Sequence, residues 1–176
     1  MIRKGILSVA LLAAAPALAQ DGPAFPGGAS SLRETHGDWV VNCAVAEQRK
    51  VCAISQQVGQ KVKDSAAVQR VMSISFSPAA KGAEGVLALP FGLLLAKGAS
   101  LQIDDGKPQA TVPIRTCLPA GCVAPLTLDQ NQIAAMRKGK QLKVNVIAAD
   151  SEKPVTITAS LQGFGDALER AAALVK

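Results

Sequence analysis

From Gly37 onward, apolar and polar positions alternate with the two-residue period of half-buried strands. Trp39, Val41, Cys43 and Val45 share one phase, and Val40, Asn42 and Ala44 share the other. Glu47-Gln48-Arg49-Lys50 reads as a polar turn, and residues 51–57 return as a second strand with Cys52 and Ile54 on one face. Residues 61–67 are polar and loop-like. A third strand follows over 68–77, with Met72, Ile74 and Phe76 inward and Ser73 and Ser75 outward. Val86, Leu87 and Leu89 lead into Pro90-Phe91-Gly92, which must break or bulge a strand. The unbroken run Leu93-Leu94-Leu95 favours a core strand covered on both faces. Its alternative is an exposed apolar contact made by Phe91, Leu93, Leu94 and Leu95.

Leu101-Gln102-Ile103 and residues 110–116 are expected to pair about the turn Asp104-Asp105-Gly106-Lys107, with Val112 and Ile114 inward. Cys117-Leu-Pro-Ala-Gly-Cys122 then forms a tight Pro/Gly corner between two cysteines. Thr127 or Asp129 can cap a helix that runs to about Lys138 and stops at Gly139. Residues 141–149 alternate cleanly, 150–154 turn, and Val155, Ile157 and Ala159 pair back. Phe164, Ala167, Leu168, Ala171, Leu174 and Val175 recur at helical spacing, which makes the last element an amphipathic helix. Roughly seven to nine short strands with hairpin turns define a mainly β protein. The expected architecture is an antiparallel β-sandwich or barrel-like domain. It carries a short helix after the second cysteine pair and a C-terminal amphipathic helix.

The N-terminal residues follow a different rule. Arg3 and Lys4 precede an apolar stretch over 5–15, and Ala17-Leu18-Ala19 supplies a small-residue cleavage signal. Residues 1–19 are therefore expected to be a secretory signal peptide, too short to span a bilayer. Residues 20–36, rich in Pro, Gly, Ser and Ala, are expected to be a flexible lead-in, and residues 37–176 a single disulfide-stapled β domain. No later segment is apolar and long enough to span a membrane.

Export changes how the four cysteines are read. In an oxidising compartment they imply two disulfides, and their clustering favours Cys43–Cys52 and Cys117–Cys122, although cross-linked pairings remain open. Export also argues against nucleic acid as a partner. The formal net charge of +6 falls to +4 without Arg3 and Lys4, which is too weak for a nucleic-acid-binding surface. With Trp39 and four phenylalanines as the only aromatic residues, there is no stacking platform for sugars or bases.

The chain resembles the invasion-associated locus B family of exported bacterial proteins. The matching features, in order, are Gly37-Asp38-Trp39-x-x-x-Cys43, Cys52-x-Ile54-x-Gln56, Leu89-Pro90-Phe91-Gly92-Leu93-Leu94-Leu95 and Leu101-Gln102-Ile103-Asp104-Asp105-Gly106. Ile114-Arg115-Thr116-Cys117-Leu118-Pro119-Ala120-Gly121-Cys122, Lys140-x-Leu142-Lys143-Val144 and Leu161-x-Gly163-Phe164 complete the set. The resemblance implies an exported protein, periplasmic or peripheral to the outer membrane, linked in some intracellular pathogens to host-cell invasion. It brings no catalytic or ligand-binding residues with it.

A search for chemistry leaves little. His36 is the only histidine, lies at the edge of the lead-in and has no G-x-S-x-G elbow to serve. No metal, catalytic or cofactor site is expected; Asp104-Asp105 reads as a turn rather than a calcium loop. Cys117 and Cys122 are separated by four residues and entered from a strand, whereas thiol–disulfide enzymes use C-x-x-C at a helix N-terminus. The densest basic patch is Arg137, Lys138, Lys140 and Lys143, suited to an anionic surface or an acidic envelope partner. The expected function is non-enzymatic binding to an envelope or host-surface component. The alternatives are thiol–disulfide activity through Cys117 and Cys122, or carriage of a small apolar ligand.

Overall fold

The computed structural model describes residues 22–61 and 67–176; the expected signal peptide and most of the 61–67 loop lie outside them. Ten strands and two α-helices follow in the order β1 (Ser31–His36), β2 (Trp39–Ala46), β3 (Arg49–Lys61), β4 (Val68–Ala79), β5 (Gly82–Leu89), β6 (Ser100–Ile103), β7 (Thr116–Leu118), β8 (Gly121–Leu128), α1 (Gln130–Lys138), β9 (Gln141–Ile147), β10 (Pro154–Ser160) and α2 (Phe164–Leu174). They build a seven-stranded sheet in the order β1-β2-β3-β4-β5-β8-β7 and a three-stranded sheet in the order β10-β9-β6. Every pairing is antiparallel. The protein has the mainly antiparallel β fold with a C-terminal helix that the periodicity predicts, and its sheets do not close into a barrel.

Alternation decides which face is buried. Trp39, Val41, Ile54, Met72, Ile74, Phe76, Leu87 and Leu89 all point into the core, whereas Ser55, Ser73 and Ser75 stay on the half-exposed face. Helix α2 packs across β1 to β4. It presents Phe164, Ala167, Leu168, Ala171 and Leu174, all buried, and its alanines let the helix approach the sheet closely. Trp39, Phe76 and Phe164 meet at centroid separations of 6.1, 5.2 and 5.9 Å, so three of the five rings form one cluster where helix and sheet touch. Gly163 is required at the entry to α2. Its φ is +84°, and a Cβ there would lie 2.0 Å from the His36 carbonyl oxygen.

Several expectations need correction. Residues 31–36 are not a lead-in but strand β1, paired along its length with β2. Phe25 is buried as well, folded back by a turn at Gly27 and Gly28 (φ 76° and 78°) so that its N–H donates to the Ala29 carbonyl at 2.9 Å. Turn-rich composition marks here a fixed reversal of direction, not flexibility. The four-residue turn over 47–50 is a two-residue one: Glu47 and Gln48 both take positive φ, 49° and 57°, the geometry that suits the twist of a tight hairpin.

Residues 93–95 are not a core strand. Pro90 supplies no N–H and Gly92 takes φ 81°, so the chain leaves the seven-stranded sheet and next touches the small one through a single bridge, Leu93 to Ala148 just past β9. The expected hairpin between 101–103 and 110–116 forms only in part. β6 pairs along its length with β9, while the chain after its turn keeps the Gln109 N–H to Leu101 carbonyl bond, 2.7 Å, and one bridge, Ala99 to Val112. Pro108 and Pro113 remove two donors from residues 108–116, which interrupts a ladder there. Conversely, β8 is a full strand although Pro125 argues against one; Pro125 lies past the last pair with β7, Thr116 to Val123.

Candidate functional site

The four cysteines sit on strands, each directly opposite its partner. Cys43 faces Cys52 across β2–β3, and Cys117 faces Cys122 across β7–β8. Both pairs are disulfides, and no cysteine is free. The hairpins close loops of sequence separation 9 and 5, for which chain entropy gives about 2–3 kcal/mol each. Converting Cys43 and Cys52 together to serine is expected to lower the urea-unfolding free energy by about that amount, with folding intact. Thiol titration of the native wild-type protein should find no reactive sulfhydryl, and a titratable thiol would contradict the staple.

His36 ends β1 and faces Glu34 of the same strand. Its Nε2 lies 3.3 Å from the Glu34 carboxylate, and that carboxylate takes two hydrogen bonds from Arg170 of α2, each 2.8 Å. The Arg170 hydrogen bonds are the main reason the Glu34 carboxyl falls from its ordinary 4.5 to about 2; partial burial opposes them, and His36 adds to them. A lowered folded-state value means the ionised group stabilises the fold above pH 4.5, and that contribution disappears as the pH drops towards 2. The difference in urea midpoint between wild type and Glu34→Gln should therefore be constant at neutral pH and shrink between pH 4.5 and 2. A difference independent of pH would rule out the ion pair as its source.

Two members of the basic patch are paired with acidic neighbours. Arg137 donates to Glu169 at 3.2 Å and Lys143 to Asp105 at 2.7 Å; the latter contact, chiefly by its hydrogen bond, lowers the pKa of the Asp105 carboxyl. Lys138 and Lys140 are exposed and join no salt bridge among the described residues. The Asp104 carboxylate accepts the Lys140 N–H at 3.0 Å and the Gln141 N–H at 2.9 Å, so it ties the turn after β6 to the start of β9. No group of three metal-ligating side chains comes together among the described residues.

One buried polar residue stands outside every motif drawn from the sequence for chemistry. Gln56 continues the inward phase of Cys52 and Ile54 and is 7% exposed. Its amide donates to the carbonyls of Asp38 and Ser160 at 3.0 and 3.1 Å and accepts the Ser160 N–H at 2.8 Å. The Ser160 carbonyl also accepts from Trp39 Nε1 at 2.9 Å. The side chain thus clips β10 of the small sheet to the large one. A signal for it exists in the alternation, because a glutamine on a core phase must find partners.

The outstanding surface feature lies past β5. Phe91 is 61% exposed although Phe25, Trp39, Phe76 and Phe164 are all buried, and Leu95 is 41% exposed. Phe91 stands at the rim of a cleft of about 330 Å³ whose walls are the start of β4, the end of β5 and the β7–β8 turn. Leu118, 52% exposed, occupies that same hairpin beside the disulfide.

These observations define a disulfide-stapled, two-sheet β protein whose polar interior is structural and whose unusual surface is apolar. The family model described as "Invasion associated locus B (IalB) protein" matches residues 39–172, and the chain belongs to that family. It is 43% identical over 154 residues to an invasion protein B homolog of Brucella abortus (strain 2308), covering 86% of each chain. To the invasion protein B of Bartonella bacilliformis it is 38% identical over 154 residues, covering 86% of this chain and 81% of that one. The crystal structure of invasion associated protein b from Bartonella henselae superposes with a TM-score of 0.73 at 41% identity, over 82% of this chain and 97% of the other. No helix among the described residues is long and apolar enough to cross a membrane.

Proposed function

We propose that this protein is an exported envelope protein that acts by binding rather than catalysis. Its contact surface is the connection over residues 91–95. The observation that carries this reading is the exposure of Phe91. A phenyl ring left in water forgoes the burial energy that the other four aromatic residues gain, and an exposed apolar cluster marks a contact surface. Membership in a family whose relatives are named invasion proteins supports a surface or periplasmic setting with an envelope or host-surface partner. The titratable groups give catalysis no support: His36 serves the Glu34–Arg170 pair, and all four cysteines are bonded.

The test is retention on the organism's own envelope fraction. Phe91→Ala/Leu95→Ala should lose at least about tenfold in retention while keeping the wild-type melting temperature, whereas Lys138→Glu/Lys140→Glu should change it little. Equal retention of wild type and the Phe91/Leu95 variant would sink the proposal.

A further inference from the structure

We propose that the cleft beside Phe91 is a recognition subsite for the C-terminal end of a peptide that finishes in an apolar residue. It would take the free carboxylate on Arg70 and the last side chain against the exposed ring of Phe91. This deepens the binding reading above and rests on it.

Four features converge there. Val71 and Pro90, both half-buried, give the cleft some apolar surface, above Met72 and Leu89, which at 1% and 2% exposed lie within the core. The rim carries the exposed ring of Phe91. The cation on the wall, Arg70, has no carboxylate partner among the described residues; it makes a long 3.3 Å donation to the Ala120 carbonyl. By contrast, Arg137 and Arg170 both hold glutamates. Finally, the wall formed by Ala120 and Gly121 is pinned from both sides. The Cys117–Cys122 disulfide lies beside it, and Gly121 packs so closely on β5 that a Cβ would come 2.5 Å from the Leu89 carbonyl oxygen.

A guanidinium binds a carboxylate through paired charge-assisted hydrogen bonds, and an Arg that shares a cleft with an exposed aromatic ring therefore selects an anion attached to an apolar body. The volume, about 330 Å³, is at the small end for ligand sites, which run from roughly 300 to 1,000 Å³. That suits one terminal residue and its carboxylate. The cleft opens to the surface, which suits a peptide end approaching over it better than a long acyl chain needing a tunnel.

The experiment follows backbone amide shifts of the uniformly ¹⁵N-labelled mature protein as acetyl-Ala-Ala-Phe is added with a free C-terminal carboxylate. The same peptide as its C-terminal amide, and octanoate, are run in parallel. The expected result is saturable shifts at Arg70, Val71, Ala88, Ala120 and Gly121 with the acid, about tenfold weaker binding of the amide, and octanoate weaker than the acid. Arg70→Gln should lose about tenfold in affinity for the acid and erase the preference over the amide, with Arg70→Lys in between and all variants melting like wild type. No shifts at the cleft up to millimolar peptide, or equal binding of acid and amide, would overturn the carboxylate site. Octanoate binding as tightly as the peptide would overturn its assignment to a peptide end. Should the peptide fail while Phe91→Ala/Leu95→Ala still loses envelope retention, the subsite falls and the binding function stands. Peptide binding with undiminished retention of that variant would leave the subsite standing and remove the 91–95 contact surface.

Discussion

Trp39→Ala is expected to be the most damaging single substitution in the chain, lowering stability by about 3–5 kcal/mol. The indole is fully buried, packs on Phe76 and Phe164, and donates to the Ser160 carbonyl. Truncation therefore opens a cavity at the one place where β2, β4 and α2 meet. In a domain with only five aromatic residues nothing nearby is large enough to fill it. Urea unfolding monitored by far-ultraviolet circular dichroism measures the loss directly. Trp39→Phe, which keeps most of the volume but loses the hydrogen bond, should cost markedly less. A cost for the alanine variant under about 1 kcal/mol would mean that the aromatic cluster is not the centre of the core.

Gln56→Ala should follow closely, at about 2–4 kcal/mol, because it removes the partner of part-buried backbone groups in the β1–β2 turn and on β10 at once. The Asp38 carbonyl loses a donor, and the Ser160 N–H loses its side-chain acceptor. Gln56→Glu separates shape from hydrogen bonding. It keeps an acceptor for the Ser160 N–H, but as a carboxylate it has no donor for the carbonyls of Asp38 and Ser160, and it brings a buried charge. It should be at least as destabilising as alanine at neutral pH and should recover as the pH is lowered and the carboxyl takes up a proton. Since Trp39 and Gln56 share the Ser160 carbonyl, the double variant should depart from additivity. A near-neutral Gln56→Ala would show that the two sheets are held together by packing alone.

Both residues show how far local pattern reaches. Trp39 is legible as core from the alternation of β2. Gln56 lies on the same phase as Ile54, so its burial follows from spacing, but its partners are 18 and 104 residues away. The basic patch goes the opposite way. Arg137, Lys138, Lys140 and Lys143 are close in sequence, but Glu169 and Asp105, 32 and 38 residues distant from their partners, neutralise two of them. The Phe91 connection reads as either core or contact, and hydropathy does not choose between them. Pro90 and Gly92 decide it by turning the backbone out of the sheet before the leucines arrive.

By itself, then, the sequence determined the elements whose causes are local. These are the alternating strands, the short helix that stops at Gly139, the amphipathic last helix, the hairpin that carries Cys43 and Cys52, the tight corner between Cys117 and Cys122, and the family. The tertiary structure alone decided which strands are neighbours, placing β6 along β9 with only a broken contact to the stretch that follows it, and β8 between β5 and β7. It also decided which charges are spent, and it set Arg70, without a carboxylate partner among the described residues, beside the exposed Phe91. The reason is physical. A strand's period records which side is buried, but its edge hydrogen bonds are the same for every sequence, so pairing is chosen by the packing of distant segments. Glu34 and Arg170, 136 residues apart, meet only after that choice is made.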